Sequence, residues 1–96
     1  MLIIELIYKK PIDESLTELV KEHRNYLQLF YDKGLFLVSG RKKPLTGGFI
    51  IADISKEIMQ SIIENDPFSI NKIAEYKITE FYPSNCCDEL KSRVVI

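Results

Sequence analysis

Short apolar runs and helical periodicities follow one another along this chain in the order strand, helix, strand, strand, helix, strand. The first run, Leu2 to Tyr8, is short and rich in Ile and Leu, the composition of a buried strand, and Pro11 and Asp13 break it. Leu16, Leu19, Val20, His23, Tyr26, Leu27 and Phe30 then step by three and four, which lays them along one stripe of a helix. Ser15-Leu16-Thr17-Glu18 has the form of a capping box at the start of that helix. The helix runs to about Lys33, where Gly34 is placed to stop it in a left-handed conformation. Leu35 to Gly40 and Gly48 to Ile54 read as strands joined by a basic, proline-containing connection, Arg41 to Gly47. Ser55 caps a second helix with apolar positions Ile58, Met59, Ile62 and Ile63. That helix ends by Asp66, because Pro67 disfavours helical geometry in the residue before it. Ala74 to Tyr82 supplies the last strand.

Two β-α-β halves in this order predict an α+β, ferredoxin-like domain: a four-stranded antiparallel sheet with two helices on one face. With 96 residues there is room for a single core. The expected division is a folded domain over 1–83 and a tail over 84–96, a short helix ending in the apolar Val94-Val95-Ile96. A sheet with one solvated face alternates apolar and polar residues, and the first two strands do not. Leu2, Ile4 and Leu6 oppose Ile3 and Ile7, and Leu35 and Leu37 oppose Phe36 and Val38. Two helices cover only one face, so the expected cover for the other is a second copy of the chain, sheet against sheet.

Composition excludes several classes. The balance of 13 basic against 14 acidic residues argues against nucleic acid as the main partner. No apolar run approaches the ~18 residues of a membrane span. The opening Met1-Leu2-Ile3-Ile4 is interrupted by Glu5 and lacks the features of a signal peptide. Cys86 and Cys87 are adjacent, cannot staple distant segments, and lack the spacing of a zinc or redox site. These features predict a cytoplasmic protein that uses neither metal nor organic cofactor.

His23 is the only histidine, and it falls on an apolar helical stripe. A ring placed there is either a core or interface group bonded to a carbonyl and water, or an acid-base group at a pocket edge. Asp66 has two readings as well. It caps a short helix beginning at Pro67, or it points across the sheet at His23, orienting the imidazole and favouring its charged form. Ser39-Gly40-Arg41-Lys42-Lys43 is a solvated basic connection or an anion cradle. Ser39 and Arg41 are the stronger binding candidates because they sit at the strand end. Tyr8, at the end of the first strand, lines the same pocket or packs in the core.

The set formed by His23-Arg24, Gly34 to Gly40, Thr46-Gly47-Gly48, Asp66-Pro67-Phe68 and the strand Ala74-Glu75-Tyr76 to Glu80-Phe81 resembles the YciI-like family, over about Leu2 to Pro83. The resemblance implies a dimeric ferredoxin-like α/β barrel with an active site of a histidine and an aspartate, here His23 and Asp66. Tyr8, Arg24, Ser39 and Arg41 would contact substrate. Proteins resembling this family include dehydrochlorinase-like enzymes acting on aromatic rings, and the superfamily includes muconolactone isomerase-like proteins. A cofactor-independent lyase or isomerase on a small anionic or ring compound is therefore the leading expectation, and a non-catalytic dimeric module binding a small molecule or protein the alternative. Many members carry proline after the Ser-Gly, where this chain has Arg41.

Overall fold

A computed structural model describes residues 1–95. The sheet order is β2-β3-β1-β4, with β1 (Leu2–Tyr8) antiparallel to both β3 (Gly47–Ala52) and β4 (Ala74–Glu80), and β2 (Phe36–Arg41) antiparallel to β3. The helices are α1 (Thr17–Asp32), α2 (Lys56–Glu64) and a single turn, α3 (Pro67–Ile70). Leu27, Met59, Ile62 and Phe68 from these helices share one buried cluster with Leu2, Ile4 and Leu6 of β1 and Ile50 and Ala52 of β3. This is the ferredoxin-like α+β fold, with the core between one sheet face and the helices.

Local chemistry explains the element ends. At the exit of α1, Gly34 adopts φ +74°. Its amide donates to Tyr31 O, and the Leu35 amide donates to Phe30 O, the paired bonds of a Schellman stop. The entry differs from the capping box expected at Ser15. A 3₁₀ turn over Glu14–Leu16 precedes α1, and its cap is Asp13. The Asp13 carboxylate, the stronger acceptor, takes both the amide and the hydroxyl of Ser15, so that hydroxyl is already committed. Ser55 does cap α2, accepting from the Ile58 amide at 3.3 Å.

Strand β2 departs from strict alternation in a way that shapes the site. Phe36 pairs with Ala52, but Val38 pairs with Ile51, so β2 spends two residues where β3 spends one. This bulge flips the parity of everything after it. Val38 turns outward at 57% exposure, while Ser39 and Arg41, opposite Ile50 and Gly48, turn to the helix side. Close backbone approach holds the hairpin that follows: a Cβ at Gly47 would lie 1.8 Å from Leu6 O.

The other sheet face carries Ile3, Glu5, Ile7, Val38, Phe49, Ile51 and Lys77 by register. Ile7, Val38 and Phe49 are all exposed there. Lys42 bridges Glu5 at 2.6 Å and sits over the Phe49 ring. Among its described residues the tail after β4 forms one 3₁₀ turn, Asp88–Leu90, in place of the expected helix. Arg93 ties the tail to Gly34 O at 2.7 Å, and Val94 is buried. Ile96, part of the expected apolar terminus, lies outside the described residues. Among the described residues no helix is long and apolar enough to cross a membrane.

Candidate active site

The α1 stripe delivers His23 to the core edge at 8% exposure, where its ring stacks on Phe68, with centroids 4.0 Å apart and planes 1° from parallel. Asp66 reaches the same point from the junction of α2 and α3. Pro67 opens α3 and Asp66, extended at φ −69°, caps it, its Oδ1 accepting from the Phe68 amide at 3.0 Å. The same Oδ1 lies 2.7 Å from His23 Nδ1. The cap and the histidine contact are therefore one arrangement: capping α3 aims the carboxylate at the ring.

Asp66 Oδ2 accepts from the Tyr76 hydroxyl at 2.7 Å. Three partners thus surround a carboxylate only 2% exposed, and an ionised carboxylate, which offers acceptors alone, satisfies all three. Nδ1 then carries the ring proton, leaving Nε2 as the basic nitrogen of the neutral ring. Nε2 has no hydrogen bond to the described residues. No side-chain nitrogen or oxygen among them is buried without a partner, so Nε2 reaches solvent.

It does so at a cavity of about 270 Å³ that His23 lines. Val20, Leu27, Ile50 and Phe68 make apolar walls, and Tyr8, Arg24, Ser39 and Arg41 bring polar groups from α1, β1 and β2. All five of the lining candidates named from the sequence meet at this one cavity, with Asp66 behind His23. The β2 bulge brings in Ser39 and Arg41, and Gly48, without a side chain, leaves room opposite Arg41. The Ser39 hydroxyl is bonded by Tyr31. Among the described residues no group of three His, Cys, Asp or Glu side chains is placed to hold a metal ion. Cys86 and Cys87 are free thiols in the tail.

A family model, the YCII-related domain, matches residues 1–82. The chain belongs to the YCII-related family. The structure of 5-chloro-2-hydroxyhydroquinone dehydrochlorinase from Burkholderia phenoliruptrix, in complex with 2,5-dihydroxybenzoquinone, is similar in fold. It matches with a TM-score of 0.60 at 22% identity, over 84% of this chain and 93% of that one. Among curated proteins, none matches the chain.

In this YCII-related chain the residues that sequence reasoning missed are tyrosines. Tyr76 closes the Asp66 carboxylate, Tyr31 holds Ser39, and Tyr26 donates to Ile62 O at 2.6 Å. Tyr76 had a signal: it shares the inward row of β4 with Ala74 and Ile78, where a polar tip needs a partner. Burial, reinforced by the charge of Asp66 and the hydrogen bond to it, pushes the Tyr76 phenol far above its ordinary value. Burial also raises Tyr26 and Tyr8. The folded state therefore keeps these protons where the unfolded chain, titrating near pH ~10, releases them. The Tyr76 contribution is complete below that pH and is lost as pH rises beyond it, by up to ~1.4 kcal/mol per unit, with smaller, solvent-screened losses from Tyr8 and Tyr26. Urea unfolding from pH 9 to 11 should show this decline. Tyr76→Phe should make it shallower even though the variant is less stable at neutral pH. An unchanged slope would contradict the role given to Tyr76.

Proposed function

We propose that this protein is a cofactor-independent acid-base enzyme of the lyase or isomerase type, acting on a small anionic ring compound. The observation that carries the reading is His23. Its Nδ1 is fixed by a buried carboxylate, and its Nε2 opens on a cavity that two guanidiniums line. Nε2 takes a proton from bound substrate. Asp66 holds the tautomer and stabilises the imidazolium that forms, and the proton returns at another atom or as a leaving group departs. Arg24, Arg41, Ser39 and Tyr8 hold the anionic or polar end. The dehydrochlorinase with the same fold, solved with a dihydroxylated quinone, supports a single-ring ligand.

The test is incubation of the purified protein in D2O with a panel of single-ring carboxylates, phenols and lactones, followed by proton NMR. Enzyme-dependent deuterium incorporation, isomerisation or elimination supports the reading. Tight ligands recovered unchanged and unlabelled would overturn it in favour of a dimeric binding module. That alternative draws on the absence of a strong nucleophile or metal-binding group among the described cavity residues.

We also propose a homodimer, working in the reducing cytoplasm where Cys86 and Cys87 remain thiols. A second copy would cover the sheet face that leaves Val38 and Phe49 exposed by 57% and 43%. Light scattering at micromolar concentration should give twice the 11.2 kDa chain mass, and Phe49→Glu should return it to one. A monomeric wild type would remove the dimer from this account.

A further inference from the structure

Tyr8 closes β1 at the cavity, and its surroundings differ from those of the other tyrosines bonded within the fold. Tyr26, Tyr31 and Tyr76 each spend their hydroxyl on a protein partner. The Tyr8 hydroxyl has none among the described residues, and since none of those side-chain oxygens is buried without a partner, it is open to solvent. Two cations line the same cavity, Arg41 from β2 and Arg24 from α1, and neither is paired with a carboxylate among the described residues. Lys9, Lys42 and Lys91 each are. The corner thus holds one free hydroxyl and two free positive charges.

The position of this corner relative to His23 follows from Phe68. The His23 ring lies on the Phe68 face at 4.0 Å, and Tyr8 meets the same ring edge-on at 6.0 Å. The sum of the two, 10.0 Å, is the largest separation the His23 and Tyr8 ring centres can have. Groups no farther apart than this, lining one cavity, are both within reach of a single substituted six-membered ring. The volume agrees: a cavity of roughly 150 Å³ takes benzene, and this one measures about 270 Å³, enough for a ring with substituents.

We propose that Tyr8 Oη, which shares its cavity with Arg41 and Arg24, is an oxyanion-binding donor, and that the cavity selects single-ring compounds carrying an ionised ring oxygen. This rests on the reading of the cavity as a ligand site and assigns its ligand class. Burial raises Tyr8 more than the two arginines lower it, so the phenol keeps its proton at neutral pH and donates rather than competing as an anion. A phenolate or enolate oxygen gains a charge-assisted hydrogen bond from that hydroxyl. Arg24 and Arg41 are exposed, so solvent screens each contribution. The Tyr8 hydroxyl, on a half-buried side chain, carries most of the discrimination, and an anion held there stays in the cavity that His23 lines.

The probe is 4-nitrophenol, which ionises near neutral pH and absorbs visible light only as the phenolate. Titrating it against the intact protein across pH gives separate affinities for its two forms, with no turnover required. The expected result is phenolate binding at least tenfold tighter than the neutral phenol, so the bound probe ionises at lower pH than the free one. Tyr8→Phe, which retains the ring that meets Phe68, should weaken the phenolate about tenfold and leave the neutral form unchanged. Arg41→Gln should weaken the phenolate less. Equal affinity for the two forms, no binding at millimolar probe, or an undiminished preference in Tyr8→Phe would each overturn the proposal. Because the readout is binding, a failure of deuterium exchange alone would sink the catalytic reading and leave this one standing.

Discussion

Asp66→Ala should cost about 3–5 kcal/mol of folding stability, the combined scale of a lost helix cap and buried hydrogen-bonding groups left unpaired. The carboxylate meets three groups that would all lose their partner: the Phe68 amide, the Tyr76 hydroxyl and His23 Nδ1. Loss of the cap alone accounts for about 0.5–2 kcal/mol, and each buried group left unpaired adds about 1–3 kcal/mol. For a domain of this size the melting temperature should fall by more than about 10 °C. Asp66→Asn separates shape from charge. Oδ1 serves two contacts, and the Phe68 amide can only donate, so the asparagine must place its carbonyl there. Its NH2 then faces Tyr76, whose hydroxyl accepts instead of donating. Every contact survives without charge, and the loss should stay below about 2 kcal/mol. Urea denaturation of both variants checks the order. An Asp66→Ala protein as stable as Asp66→Asn would show that the three contacts contribute little.

The same carboxylate shows what the sequence made legible. Asp before Pro marks a helix start, and that signal was correct for α3. A lone histidine on an apolar stripe marked a site, and His23 is buried where the stripe meets the sheet. Their meeting was not readable, because they stand 43 positions apart and touch only through the packing of α1 on α3. The family pattern, not periodicity, paired them. Local signals did well where a single residue decides, as at Gly34 and Ser55. They did less well where two acceptors compete, as Asp13 and Ser15 do before α1. The β2 bulge left no mark in the sequence. Strict alternation from Phe36 onward puts Ser39 and Arg41 on the outer face, yet two residues of β2 oppose one of β3, and this alone turns both inward. The apolar character of both faces of β1 was legible without knowing what lies on the outer one.

Under the acid-base reading, His23→Asn should lower the rate of deuterium exchange or turnover by about 10²–10⁴, the usual worth of a positioned proton-transfer group. Its fold should survive, since the amide can still reach the Asp66 carboxylate while leaving no basic nitrogen. Asp66→Asn should fall between wild type and that variant. The Phe68 amide fixes the carbonyl at Oδ1, so Nδ1 keeps its proton and Nε2 its lone pair. The tautomer survives, and only the charge that stabilises the imidazolium disappears. That loss matches one charge-assisted hydrogen bond, about 1.5–3 kcal/mol, or roughly ten- to a hundredfold in rate. The order of the three proteins is therefore diagnostic, once an exchanging compound is found in the panel. A His23→Asn protein that still exchanges at the wild-type rate would remove His23 from the chemistry. An Asp66→Asn protein as slow as His23→Asn would mean that asparagine turns its NH2 to the ring and abandons the α3 cap, which the melting temperature of the same sample would reveal.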